Sequence, residues 1–200
     1  MAESNQFGEQ PIWTRPEPAE RRPRFSRLQI ADAAIAIADA EGFEAVTMRR
    51  IARSLGAGTM SLYRYIATRD DLLALMGDAL LRDTLVSGEL PADWRAALTA
   101  VARQTREAYL RHPWAVGFLG DAAAVRAGMT GPNSLQHGEQ SLTALAGAPM
   151  DDQAKLDVLA IVDDYVFGHL LRAAGDPDHL QARFDLGLTL LLDGITARFS

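Results

Sequence analysis

The chain has 200 residues, 48% of them apolar, a net charge of −6 at neutral pH and no cysteine. That suits one large domain or a small one joined to a larger, and it excludes disulfide frameworks, thiolate metal sites and thiol catalysis. The opening MAESNQFGEQ has neither the basic start nor the apolar stretch of a signal peptide, and no apolar run nears the ~18 residues of a membrane span, so a soluble, cytoplasmic protein is expected.

Residues 1–24 hold four prolines and almost no periodic apolar pattern, and read as a flexible arm whose end, RRPRFSR, is basic. From Ser26 onward the pattern is helical. Ser26 and Gln29 make a capping box before LQIADAAIAIADAEG, where Leu28, Ala31, Ile35 and Ala38 recur at helical spacing and Gly42 supplies the stop. Phe43 and Val46 read as core anchors in the next turn. Thr47 caps a second helix, MRRIARSL, ended by Gly56, and a very short third helix is expected over about Thr59–Ile66. Thr68 with Asp71 starts a fourth, LLALMGDALLRDTLV.

Gly88 and Pro91 punctuate the chain before ADWRAALTAVARQTREAYLRH, which His112-Pro113 stops because proline lacks the amide and clashes with the preceding turn. A short segment follows around Trp114–Leu119, and glycines at 117, 120, 128 and 131 make 117–133 the loosest stretch of the body. SLQHGEQSLTALAG reads as a seventh helix and DDQAKLDVLAIVDDYVFGHLLRAAG as an eighth. Gly175-Asp176-Pro177 then offers a C-terminal glycine, an N-cap and a first-turn proline ahead of HLQARFDLGLTLLLDGITARFS. Nothing reads as a strand ladder. The expected fold is all-α: an arm over 1–24, a three-helix helix-turn-helix domain over 25–70, and a helical bundle over 71–200, with about nine helices in all.

Charge is polarised along the chain. Residues 21–70 hold nine arginines against five acids, whereas residues 71–200 hold ten basic and seventeen acidic side chains. A basic block of that kind suits a nucleic-acid surface. Within it, LGAGTMSLYRYIATRDDLL fails as a dinucleotide loop: a helix precedes Gly56 and Gly58, Ser61 stands where the third glycine belongs, and a P-loop lysine is absent. A helical wheel over Thr59–Ile66 instead turns Leu62 and Ile66 inward and Met60, Ser61 and Arg64 outward, with Tyr63 and Tyr65 on the flanks. Such a helix suits a major groove, its centre meeting base edges and its flanking hydroxyls reaching phosphates. On the second helix Met48, Ile51, Ala52 and Leu55 turn inward, while Arg49, Arg50 and Arg53 face outward, behind the Thr47 cap. Arg69 adds a further cation for a phosphate.

The stretch ADAAIAIADAEGFEAVTMRRIARSLGAGTMSLYRYIATRDDLLALM resembles the N-terminal domain of the TetR family of transcriptional regulators, from about Arg27 to Met76. Through AYLRHPW and FDLGLTLLLDGI, the C-terminal part resembles that family's tetracycline-repressor-like regulatory domains. The resemblance implies an all-α homodimer that binds a palindromic operator in double-stranded DNA and releases it on binding a small-molecule effector. By position it implies base or nearby backbone contacts for Arg49, Thr59, Met60 and Ser61, and phosphate contacts for Tyr63, Tyr65 and Arg69. Positions 65 and 69 often carry histidine and lysine in the family; tyrosine and arginine there still serve a phosphate. Thr47 and Arg64 complete the expected DNA-contacting set.

The last two helices carry dense apolar stripes. Leu159, Val162, Val166 and Leu170 on one, with Phe184, Leu188, Leu191 and Ile195 on the other, are expected to form the dimer interface as half of a four-helix bundle. An apolar effector would bind within the bundle, the candidates being Tyr109, His112, Trp114, Phe118, His137, Tyr165 and His169. The four histidines lack metal spacing, no cofactor motif occurs, and no Ser-His-Asp arrangement announces an enzyme. An architectural helix-turn-helix protein without a ligand is the alternative.

Overall fold

The computed structural model describes residues 11–18, 25–118, 130–172 and 177–199, apart from the side chains of 118 and 177–179. Among these residues it is all-helical: α1 (Arg27–Glu41), α2 (Met48–Ser54), α3 (Thr59–Leu62), α4 (Arg69–Arg82), α5 (Trp94–Arg111), α6 (Ala115–Phe118), α7 (Pro132–Ala144), α8 (Asp152–Leu171) and α9 (Pro177–Phe199), with short 3-10 turns at Ile12–Thr14 and Phe43–Ala45. No described helix is long and apolar enough to cross a membrane. Gly175 and Asp176, and most of the glycine-rich stretch after α6, lie outside the described residues.

The chain divides into two compact units, residues 1–82 with 112–135 and residues 83–111 with 136–200. The first segment of this unit runs to Arg82, because α4 packs against α1 and joins its core. The core of this unit is built from Ile30, Ala34 and Ile35 of α1, Ile51 of α2, Leu62 of α3 and Leu75 and Met76 of α4, all nearly fully buried. Leu28, expected on the inner stripe of α1, is half exposed instead.

Local signals set the helix ends. Ser26 Oγ accepts from the Gln29 amide at 3.2 Å while Gln29 Oε1 accepts from the Ser26 amide at 2.8 Å, closing the capping box at α1. Gly42 ends α1 at φ +85°, a backbone region costly for other residues. Thr68 Oγ1 accepts from the Asp71 amide at 3.0 Å, and Asp71 Oδ2 accepts from the Ala67 and Thr68 amides at 2.9 and 3.1 Å, fixing the start of α4.

Part of the supposed flexible arm is folded. Ile12 is 2% exposed, and Arg15 forms a buried ion pair with Asp71. The Arg27 guanidinium gathers this strap through the carbonyls of Ile12 at 2.8 Å and Arg15 at 2.6 Å. One apolar anchor and two guanidiniums thus offset the loss of chain entropy over residues 11–18.

In the second unit α5 and α9 each pack against α8. Val158, Val162, Val166 and Leu170 of α8 and Phe184, Leu188, Leu192 and Ile195 of α9 are buried within the chain. A smaller cluster of Ala97, Val101 and Ala144, covered by Val86 and Leu90, joins α5 to α7.

Candidate nucleic-acid interface

A helix-turn-helix forms over α2, the Leu55–Gly58 turn and α3. At its centre Gly56 has φ +62°. The Ala57 amide donates to the Ala52 carbonyl at 2.8 Å and the Gly56 amide to the Arg53 carbonyl at 3.2 Å, the paired bonds of a Schellman motif. The chain therefore leaves α2 abruptly and restarts at Gly58, whose φ of −81° any residue adopts. Leu62 and Ile66 are buried at 0% and 1% and hold α3 to the core, as its wheel predicts.

The face turned to solvent carries most of the expected reading set. Met60 is 78% exposed and Tyr63 48%, a large apolar and a large aromatic side chain outside any core. Arg49, Arg53, Arg64 and Arg69 are exposed, and Thr59 and Ser61 are half-buried. Arg50, on the same outer face of α2, is paired with Glu41. Thr47 caps α2, its hydroxyl accepting from the Arg50 amide at 3.3 Å. An open groove of about 370 Å³ brings Thr47, Tyr63 and Arg69 together, floored by Phe43, Leu72 and Leu73. A hydroxyl, a phenol and a guanidinium around one notch provide three donors to a single anionic oxygen group.

Tyr65 departs from expectation. It is 4% exposed, and its ring lies 4.9 Å from that of Phe25. After Leu62 the chain passes into a tight turn in which the Tyr65 and Ile66 amides both donate to the Leu62 carbonyl, at 2.9 and 3.0 Å. A side chain that the wheel sets on the flank is thereby packed into the core. Sequence reasoning read Asp71 as part of the α4 start but missed Arg15, which pairs with it there. The only local hint was an Ile-Trp pair beside an arginine in the proline-rich arm.

The effector candidates separate. His112 and Trp114 belong to the first unit, where His112 Nδ1 and Trp114 Nε1 lie 2.8 and 2.7 Å from the same Asp39 oxygen and Trp114 stacks on Phe43 at 5.8 Å. After the proline stop that follows α5, both side chains pack on Asp39 of α1. The side chain of Phe118 lies outside the described residues. Four candidates remain in the second unit. Tyr109 is buried edge-on to Phe167 at 5.2 Å, and burial followed by the Asp163 carboxylate pushes its hydroxyl up to about 12. His137 Nδ1 lies 2.8 Å from Thr84 Oγ1, and burial holds its ring below the usual imidazole value. Tyr165 donates to the Phe184 carbonyl at 2.8 Å and stacks on that ring, while the His169 ring stands edge-on to it at 5.0 Å. Arg106, which the sequence reading passed over, meets the same ring from α5.

Among the residues expected at a dimer interface, Val162, Val166, Leu170, Phe184, Leu188 and Ile195 are 0–8% exposed within a single chain. Side chains already covered by their own core have little surface left for a partner. Leu159 and Leu191 are half-buried. The apolar surface these two helices leave open is instead Ile161 at 46%, Leu186 at 62% and Leu190 at 62%, together with Leu156 and Leu171. Among the described residues, no group of three or more histidines and carboxylates is placed to hold a metal ion.

An exposed, donor-rich helix-turn-helix in one unit and a second, all-helical unit, among the described residues, define a fold of the helix-turn-helix class. The family comparisons agree. Residues 30–76 match the model for bacterial regulatory proteins of the tetR family, and residues 87–182 match that for the tetracyclin repressor-like C-terminal domain. The chain belongs to the TetR family.

It is 38% identical over 152 residues to the HTH-type transcriptional repressor DrrR1 of Streptomyces coeruleorubidus, covering 74% of this chain and 53% of that protein. The match thus spans about half the length of that relative. Among solved structures, apo ActR from Streptomyces coelicolor aligns with a TM-score of 0.73 at 24% identity, over 88% of this chain and 97% of ActR, a likeness of fold. BioQ with its double-stranded DNA operator aligns with a TM-score of 0.65 at 28% identity, over 86% of this chain and 99% of BioQ.

Proposed function

We propose that this chain is a homodimeric, effector-released transcriptional repressor that reads a palindromic operator through α3, acting in the cytoplasm. The observation that carries the proposal is the exposed face of the helix-turn-helix: Met60 and Tyr63 stand in solvent beside unburied arginines, while Leu62 and Ile66 fix the helix from behind. Met60 and Ser61, with Arg49 and Thr59, meet base edges and adjacent backbone; Arg64 is a further base reader. Thr47, Tyr63 and Arg69 take a phosphate at the groove they line. The operator complex of BioQ, a relative by fold and sequence, supports this use of the face.

A two-fold operator needs two reading heads, and a second copy supplies the other. The exposed apolar stripe of Ile161, Leu186 and Leu190 on α8 and α9 is the surface for that pairing. The second unit then acts by differential affinity: an effector bound more tightly in a state with wrongly spaced heads draws the dimer off DNA. The match of residues 87–182 to a tetracyclin repressor-like domain favours this over an architectural role without ligand.

Selection of bound duplexes from a random pool tests the reading. A two-fold symmetric sequence should be enriched, bound more weakly at higher salt, and released by one member of a small-molecule library. Enrichment of no sequence above the pool would overturn it.

A further inference from the structure

Arg106 sits on the inner face of α5, three residues before Tyr109, and is 5% exposed. A guanidinium stays charged at any physiological pH, so a buried one calls for an anion nearby. Among the described residues its one side-chain hydrogen bond goes to Gln181 Oε1, a neutral acceptor, and its flat face lies 5.0 Å from the centre of the Phe184 ring. The nearby Asp185 carboxylate is already engaged: Arg103 holds it at 2.9 Å and Gln181 Nε2 donates to it at 2.9 Å. No described acid forms an ion pair with Arg106, and its Nε is buried without a hydrogen-bond partner.

The second orphan is at the same ring. His169 stands edge-on to Phe184 at 5.0 Å, and its Nε2 is likewise buried and unpartnered. Burial first, then the charges of Arg106 and Arg183, hold this imidazole below its usual value, so it stays neutral and can offer Nε2–H without adding charge. Buried polar atoms in folded proteins nearly always find partners. The Asp185 carboxylate feels the charge of Arg106 without pairing with it, so two orphaned donors at one ring still mark a place where an acceptor belongs. Beside these polar groups stand apolar ones: Phe184 and the stacked Tyr165, with Val166, Leu170 and Leu188 buried on the same two helices.

We propose that Arg106 and His169 form the polar anchor of the effector site, and that the effector is an organic acid with an apolar, ring-bearing body. Its carboxylate accepts from Arg106 Nε and His169 Nε2. The inference rests on reading the second unit as effector-binding, and it replaces the purely apolar effector that composition suggests with an anionic one.

Calorimetry on the full chain tests it with matched probes: benzoate, 2-naphthoate and 2-anthroate, each against the methyl ketone of the same ring system. The expected result is that one acid binds at least tenfold more tightly than its ketone. In the R106M variant that acid should lose at least tenfold while the ketone is unchanged, and R106K should recover part of the loss. Absence of acid preference in the wild-type chain, whether because acid and ketone bind alike or because no acid binds, overturns the proposal without any variant. Acid preference that survives in a folded R106M protein overturns it as well. Release of the selected operator is measured separately. Arg106-dependent binding without release upholds the anchor and removes the effector reading; release by a compound indifferent to Arg106 does the reverse.

Discussion

Tyr63 and Tyr65 stand two positions apart and meet opposite surroundings. Tyr63 is half exposed on the groove shared with Thr47 and Arg69, whereas Tyr65 is packed against Phe25. If Tyr63 donates to a phosphate as proposed, removing its hydroxyl in Tyr63→Phe deletes a hydrogen bond to a charged acceptor, worth about 1.5–3 kcal/mol, so operator affinity should fall by about tenfold or more. Tyr65→Phe should leave affinity unchanged, and an anisotropy titration of both variants separates the two roles. Arg69→Ala should weaken binding to all duplexes alike and lower the salt slope by about 1, the mark of a lost phosphate contact. Behind the face, Arg15→Ala leaves Asp71 as a buried charge without its ion-pair partner. Breaking such a pair costs about 3–5 kcal/mol, to be read as a shift in urea unfolding. No shift would mean that the strap is not held in solution.

At the scale of elements, local chemistry was legible in the sequence and long-range chemistry was not. The Ser26–Gln29 box, the Thr47 cap, the Gly56 stop and the Thr68–Asp71 start are each settled within a few residues, and the helices begin and end there. The burial of Tyr65 involves Phe25, and the strap partners 56 residues apart, neither of which periodicity reveals. A stripe on α8 and α9 looks the same in sequence whether it meets its own core or a second chain; here most of it meets its own core. Gly56→Ala tests the turn: a left-handed backbone costs a side-chain-bearing residue about 1–2 kcal/mol, and DNA affinity should fall with stability as α3 loosens. The α7 histidine provides a pH test. His137 is held below its ordinary 6.5 by burial, so the unfolded chain binds its proton first as pH falls. Its neutral form therefore stabilises the fold above pH 6.5, and that contribution is lost as pH drops from there toward its lowered value. Thermal melting at pH 7 and 5.5 should show a smaller drop for His137→Gln than for the unaltered chain.

For the whole molecule, the acidic total charge conceals a basic block over residues 21–70, so a proposal about its partner rests on the distribution of charge and not on the sum. Pairing of two copies predicts that a charge at the centre of the open stripe, Leu190→Glu, yields monomers by sedimentation while the helical content is kept. Such monomers should bind a symmetric operator far more weakly, because one of the two half-site contacts is lost. The central claim is that the exposed face of α3 and the outer arginines of α2 read DNA. Its most direct measurement is an anisotropy titration of the selected duplex with wild-type chain and with Arg49→Ala, at several salt concentrations. Tight, salt-sensitive binding by the wild type and at least tenfold weaker binding by the variant is the predicted result; equal binding by both would contradict it.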